Sequence, residues 1–231
     1  MLFRSLCEAV AGYTGIHPVR ITIRGVLYDP ALDYSQPMGL SFEGQIPIIR
    51  AFAPTARNVE VELYSGLKGE FIQSVPMMEV AMGLFEVRGQ ADWLGKAYLF
   101  LVDGQDHALG KRRVLDPYSR MHVASTGPTL IFQDEFQLVR PPLIPKKDCI
   151  IWETHIRDFS IRSKSRYPGK YLAFTEPENL QYLTQLGVNV IQLLPVQDFN
   201  HGQKPGYDWG YMPHSWFCLE GWYATCTTDT S

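Results

Sequence analysis

No apolar run in the 231-residue chain approaches the ~18 residues of a membrane span, which excludes a spanning helix. Met1 to Gly12 carries one Arg and a short apolar stretch broken by Glu8, short of a signal-peptide core. Charge of one sign is equally scarce. The net charge of −3 gives no electrostatic reason to seek phosphate backbones, so neither nucleic acid nor membrane is an expected partner. Cysteine is sparse, and Cys7, Cys149, Cys218 and Cys226 fall at no metal-ligand or disulfide-framework spacing. They read as free thiols of a reducing compartment, which makes the expected location cytoplasmic. The sequence has no G-x-x-x-x-G-K-[ST], no G-x-G-x-x-G after a strand and no G-x-S-x-G. Phosphate-loop, dinucleotide and serine-hydrolase chemistries therefore have no foothold, and no cofactor or metal is expected.

What the chain does have is aromatic surface. Aromatics are 13% of it, with 5 Trp and 12 Tyr, in a composition otherwise ordinary for a globular protein at 45% hydrophobic and 19% charged. Flat rings suit sugar or base stacking, and they also fill cores.

From about Pro47 to Asp103 apolar and polar residues alternate, as in Ile48, Arg50, Phe52 and the run Val59, Glu60, Val61, Glu62, Leu63, Tyr64. Period-2 patterning marks half-buried antiparallel strands. Turn signals at Ala53-Pro54, Ser65-Gly66, Met82-Gly83, Leu94-Gly95 and Asp103-Gly104 separate the runs, and strands so closely spaced predict a small β-sandwich. After Asp116-Pro117-Tyr118 the pattern dissolves. The stretch Arg140-Pro141-Pro142-Leu143-Ile144-Pro145-Lys146-Lys147 reads as a proline-stiffened connector, with a domain boundary near Lys147.

Beyond the boundary the period changes. Cys149 to Ile156 is an expected strand, and Val188 to Val196 a second, apolar enough to be buried on both faces of a parallel sheet. Between them Thr175 and Glu178 read as a capping box with Pro177 in the first turn. Leu180, Leu183 and Leu186 recur at helical spacing, and Gly187 supplies the stop. A strand, a helix and a strand make a β-α-β unit with parallel strands. Cys149 to Ser231 is far shorter than the about 250 residues of a closed eight-fold barrel.

Five strings, in order, resemble a known family. Arg50-Ala51-Phe52-Ala53-Pro54-Thr55-Ala56 with Val59 to Tyr64 is similar to the opening strands of the isoamylase-type N-terminal module, a sandwich related to glycogen-binding modules. Val114 to Arg120 resembles the D-P-Y-[AS] stretch that follows it, Ile150 to Ser160 the first barrel strand, and Leu186 to Phe199 the second. Tyr207-Asp208-Trp209-Gly210-Tyr211-Met212-Pro213 is similar to the Y-N-W-G-Y-x-P signature of type I pullulanases, with Asp208 where Asn is usual. The resemblance implies the N-terminal portion of a debranching glycoside hydrolase of the α-amylase clan. Its expected layout is a lead segment over 1–38, an all-β sandwich over 39–117, a linker over 118–147, and from 148 to 231 the start of a (β/α)8 TIM barrel, incomplete. The implied partners are α-glucans: pullulan, amylopectin, glycogen and branched maltodextrins.

The resemblance also implies a retaining mechanism, whose two carboxylates stand about 5 to 5.5 Å apart. The family's D-V-V-Y-N-H motif is absent. The Asp nucleophile, the Glu acid/base and the stabilising Asp are expected beyond Ser231, so no catalytic residue is assigned and the chain alone is expected to be inactive.

Substrate-binding candidates lie after the second parallel strand, at the face where barrels build active sites. By resemblance Tyr211 matches the tyrosine that stacks under the sugar ring before the scissile bond; packing of the loop is the competing role. Trp209 and Tyr207 could widen that platform, although a Trp beside Gly at a turn also serves as a plug. Asp208 could bond a sugar hydroxyl or hold its own turn, and the turn is favoured. Gly206 and Gly210 are expected to let the loop bend. Glu153, His155 and Asp158 crowd the first strand and are expected to be buried, satisfied structural groups. His201 and His214 have no ligand-type neighbours at metal spacing, and Trp93 is expected in the sandwich core rather than on a glucan. Two other readings are a noncatalytic α-glucan-binding protein and an isoamylase or branching-enzyme relative.

Overall fold

Val59, Val61 and Leu63 are at most 1% exposed while Glu60 and Glu62 face the other way, so the alternation does divide one strand into a core face and an outer face. The computed structural model describes residues 36–104, 110–122, 127–134, 138–199 and 207–225. Cys7, Cys226, His201, Gly206 and most of the lead segment lie outside them. The described residues fall into two compact units. One runs up to Tyr118 and includes Pro128–Gln133; the other takes Ser119–Gly127 and the chain from Asp134 onward.

The first unit is a sandwich of two antiparallel sheets. One has the order β1 (Gly39–Glu43), β2 (Ile46–Phe52), β6 (Leu84–Arg88), β5 (Met78–Ala81). The other has the order β4 (Phe71–Pro76), β3 (Ala56–Tyr64), β7 (Ala97–Gly104), β8 (Lys111–Val114), and β9 (Thr129–Leu130) also pairs with β7. Between them pack Ile49, Val59, Val61, Leu63, Phe85, Val87, Tyr98 and Phe100, with Trp93 from a short 3-10 turn. Each buried aliphatic contributes roughly 1.5–3 kcal/mol. On the outer face, Lys111 bonds Glu60 and Arg113 bonds Glu62 at 2.6 Å, and both carboxylates are held below their ordinary pKa by those hydrogen bonds.

The stretch 118–147, expected as one connector, is divided instead. Thr129 and Leu130 pair with Tyr98 and Ala97, and Ile131, 0% exposed, joins the sandwich core. A two-residue strand is too short to show a period, so its place is set by the part of the β7 edge, at Ala97 and Tyr98, that β8 leaves open.

In the second unit β10 (Ile151–Thr154) and β11 (Val190–Leu193) pair in parallel, and α1 (Ile156–Ser160) and α2 (Pro177–Gln185) lie between them in sequence. Helix α2 ends as expected. Gly187, at φ +77, gives its N–H to the Thr184 carbonyl, and Val188 gives its own to Leu183, a Schellman closure that glycine adopts without a Cβ penalty.

The start differs from the expected capping box. Thr175 ends a 3-10 turn, Tyr171–Thr175, and its hydroxyl donates back to the Leu172 carbonyl at 2.8 Å. Glu176 takes the N-cap position, and Pro177 at N1 has no N–H to satisfy.

Burial of β11 on both faces is also not found: Ile191 is 37% and Leu193 41% exposed. The two-stranded sheet offers few neighbours, and of the expected leucine stripe only Leu183 is buried.

Candidate functional site

The parallel pair ends where two short segments meet. His155 follows β10 in extended backbone and caps α1, its Nδ1 accepting the Asp158 N–H at 3.4 Å. That bond makes Nδ1 an acceptor and turns Nε2–H toward the Tyr223 hydroxyl, 2.9 Å away. His155 is buried, as expected, whereas Glu153 and Asp158 are exposed. The reason is geometric: a four-residue strand followed directly by a helical turn carries Asp158 outward.

Asp158 is thereby set against the aromatic loop. Its carboxylate accepts the hydroxyl of Tyr207, and the indole N–H of Trp209 donates to the same hydroxyl oxygen at 3.0 Å. The Arg157 guanidinium lies 5.4 Å over the Tyr207 ring, and His155 meets that ring edge-on at 5.2 Å. Burial and the bond to Asp158 both push the Tyr207 pKa up.

Asp208 accepts the Gly210 N–H at 2.7 Å, closing its own turn. Gly210 has φ +81, and a Cβ there would stand 3.1 Å from the Pro195 carbonyl oxygen. Only glycine fits comfortably. The outcome is a row of exposed rings: Tyr207, Trp209 and Tyr211 are 50%, 59% and 61% exposed. Trp93, by contrast, is core, and His214 is exposed with its backbone N–H on the Asp198 carbonyl.

Beneath the loop lies a buried polar frame that local sequence patterns do not reveal. His122 places Nδ1 3.1 Å from the Ser119 hydroxyl and Nε2 3.2 Å from the Asp198 carboxylate. Burial by itself lowers the pKa of His122, but the bond to Asp198, with Cys218 adding to it, outweighs burial and lifts the pKa to about 9. The imidazolium then donates from both nitrogens. Asp198 in turn gives its N–H to the Cys218 carbonyl and receives the N–H groups of His214 and Ser215 on its own carbonyl. Ser215 closes the ring with its hydroxyl on the Ser119 carbonyl. Glu220, 1% exposed, accepts the Trp222 N–H at 2.8 Å, and burial with its nearby charge raises the pKa values of Tyr171 and Tyr223. A mark at the end of β11, the string Val196-Gln197-Asp198-Phe199, pointed to this region without naming the partner of Asp198.

Within the sandwich, residues 37–119 match the family model of carbohydrate-binding module 48, the isoamylase N-terminal domain. Over most of its length the chain is similar to the N-terminal portion of type I pullulanases. The pullulanase of Bacillus subtilis is 29% identical over 96% of this chain and 33% of its own length. Chloroplastic pullulanase 1 of Arabidopsis thaliana is 26% identical over 90% of this chain and 27% of its own. The crystal structure of type I pullulanase from Bacillus subtilis, complexed with maltose, superposes with a TM-score of 0.74 at 29% identity, covering 85% of this chain and 29% of that one. The similarity extends to isoamylase and glycogen debranching enzymes. The chain thus spans about a third or less of the length of these pullulanases. Among the described residues no helix is long and apolar enough to cross a membrane, which says nothing of β-barrels.

Proposed function

We propose that this chain is the glucan-binding, N-terminal portion of a debranching glycoside hydrolase that cleaves α-1,6-glucosidic bonds in pullulan, amylopectin or glycogen. In this reading β10, α2 and β11 are the opening of the catalytic (β/α)8 barrel, and Tyr207, Trp209 and Tyr211 offer ring faces to the C–H faces of glucose while its hydroxyls stay free for hydrogen bonds. The observation that carries it is the row of three exposed aromatics held at the end of a parallel β-α-β unit, the position at which barrel enzymes gather substrate. The nucleophile and acid/base of the retaining reaction are not assigned to this chain, so by itself it binds glucan and hydrolyses none.

Native electrophoresis in glycogen tests both halves. The wild-type protein is retarded, Trp209→Ala with Tyr211→Ala migrates faster, and pullulan incubated with the protein yields no maltotriose. Unretarded migration of the wild type would refute the binding claim, and maltotriose release would refute the inactivity.

A further inference from the structure

We infer that Asp158 is a positioning residue for the aromatic loop: through the hydroxyl of Tyr207 it sets the orientation in which the Trp209 ring meets an α-glucan. The inference rests on the glucan-binding reading above and adds to it a residue that touches no sugar.

The hydroxyl of Tyr207 works as a connector with both its functions committed. It spends its hydrogen on the Asp158 carboxylate, and its oxygen receives the Trp209 indole N–H, the one donor that side chain has. A hydroxyl bonded to a carboxylate is charge-assisted, so this link is the firm one of the two. The Tyr207 ring is then fixed on two more sides, by Arg157 over one face and by the edge of His155.

All three contacts come from the cap and first turn of one short helix, His155 to Asp158, and that segment is itself pinned. His155 is 4% exposed, accepts the Asp158 N–H and pairs with the Tyr223 hydroxyl. Arg157 bonds the other Asp158 carboxylate oxygen at 3.3 Å, which leaves the first for Tyr207. A buried histidine thus fixes Asp158, Asp158 fixes Tyr207, and Tyr207 fixes Trp209. One consequence concerns recognition. With their polar atoms used internally, Tyr207 and Trp209 turn apolar ring surface to solvent, suited to the C–H face of a pyranose rather than to its hydroxyls.

The test uses the 231-residue protein, maltohexaose as the probe, and the indole N–H resonances of its five tryptophans, Trp209 being the one lost in Trp209→Phe. In Asp158→Asn the Trp209 resonance moves and maltohexaose binds about tenfold more weakly, the loss of one charge-assisted link. Asp158→Glu returns both toward wild type. Tyr207→Phe, which keeps the carboxylate and removes only the connector, moves the same resonance, and the double variant Asp158→Asn with Tyr207→Phe loses no more affinity than either single one. An unmoved indole with unchanged affinity in Asp158→Asn overturns the inference, as do losses that add in the double variant. A wild-type protein that binds no maltohexaose refutes the glucan reading instead, while the indole shift still decides whether Asp158 holds the loop.

Discussion

His122 and Asp198 stand 76 residues apart in the chain, yet Nε2 of one lies 3.2 Å from a carboxylate oxygen of the other, both side chains buried. The pair sits under the segment that carries the exposed rings, because the backbone of Asp198 bonds both His214 and Cys218. Removing one member of a buried pair leaves the other uncompensated, which costs more than the pair itself is worth.

That pair makes stability depend on pH with a definite sign. The native pKa of His122, about 9, exceeds the ordinary 6.5, so the folded state binds the proton more tightly than the unfolded one. The contribution, about 3 kcal/mol, is fully present below pH 6.5 and is lost as pH rises through 9. Urea unfolding followed by Trp emission is expected to show this decline in the wild type. His122→Gln should be less stable at pH 6 and converge on the wild type near pH 9.5; a constant gap across that range would contradict the ion pair.

Ile131 tests whether the stretch after Tyr118 belongs to the sandwich. It is 0% exposed, and its backbone bonds Lys96 and Gly95 on the approach to β7. Ile131→Ala should destabilise the first unit by about 2–5 kcal/mol, the usual cost of emptying a core site. Leu138→Ala, at a side chain 74% exposed, should stay within about 0.5 kcal/mol in the same urea titration.

Gly210→Ala probes the bend of the aromatic loop. The added Cβ meets the Pro195 carbonyl oxygen at 3.1 Å in a backbone with φ +81, a strain of about 1–3 kcal/mol. Retardation in glycogen should weaken while the melting of the sandwich, followed by circular dichroism, is unchanged. Unaltered retardation would mean the loop's bend does not matter to binding.

Hydrogen exchange should separate the two units. Val59 to Leu63 lie in a strand paired on both sides, whereas Ile191 and Leu193 belong to a two-stranded sheet and are more than a third exposed. Amides of Ile191 to Leu194 are expected to exchange faster in a monomeric sample. The uncovered apolar strand is also an association hazard, so sedimentation at rising concentration should show self-association of the chain.

The alternation from Val59 to Tyr64 determined a strand and its core face, since a period of two can bury only one side of an antiparallel pair. Gly187 likewise determined a helix end, because a left-handed residue closing a Schellman motif needs no distant partner. The turn at Asp208 and Gly210 was legible for the same reason. Local rules failed where a distant neighbour supplied the deciding contact. Thr175 was free to cap α2 until a preceding 3-10 turn claimed its hydroxyl. Ile131 became core only because the edge of β7 was open to it. Tyr207 gained its partner Asp158 from 49 residues away, and His122 its partner Asp198 from 76. Hydrogen bonds and ion pairs act over a few ångströms in space, whatever the separation along the chain, so these side-chain pairings were decided only by the tertiary structure.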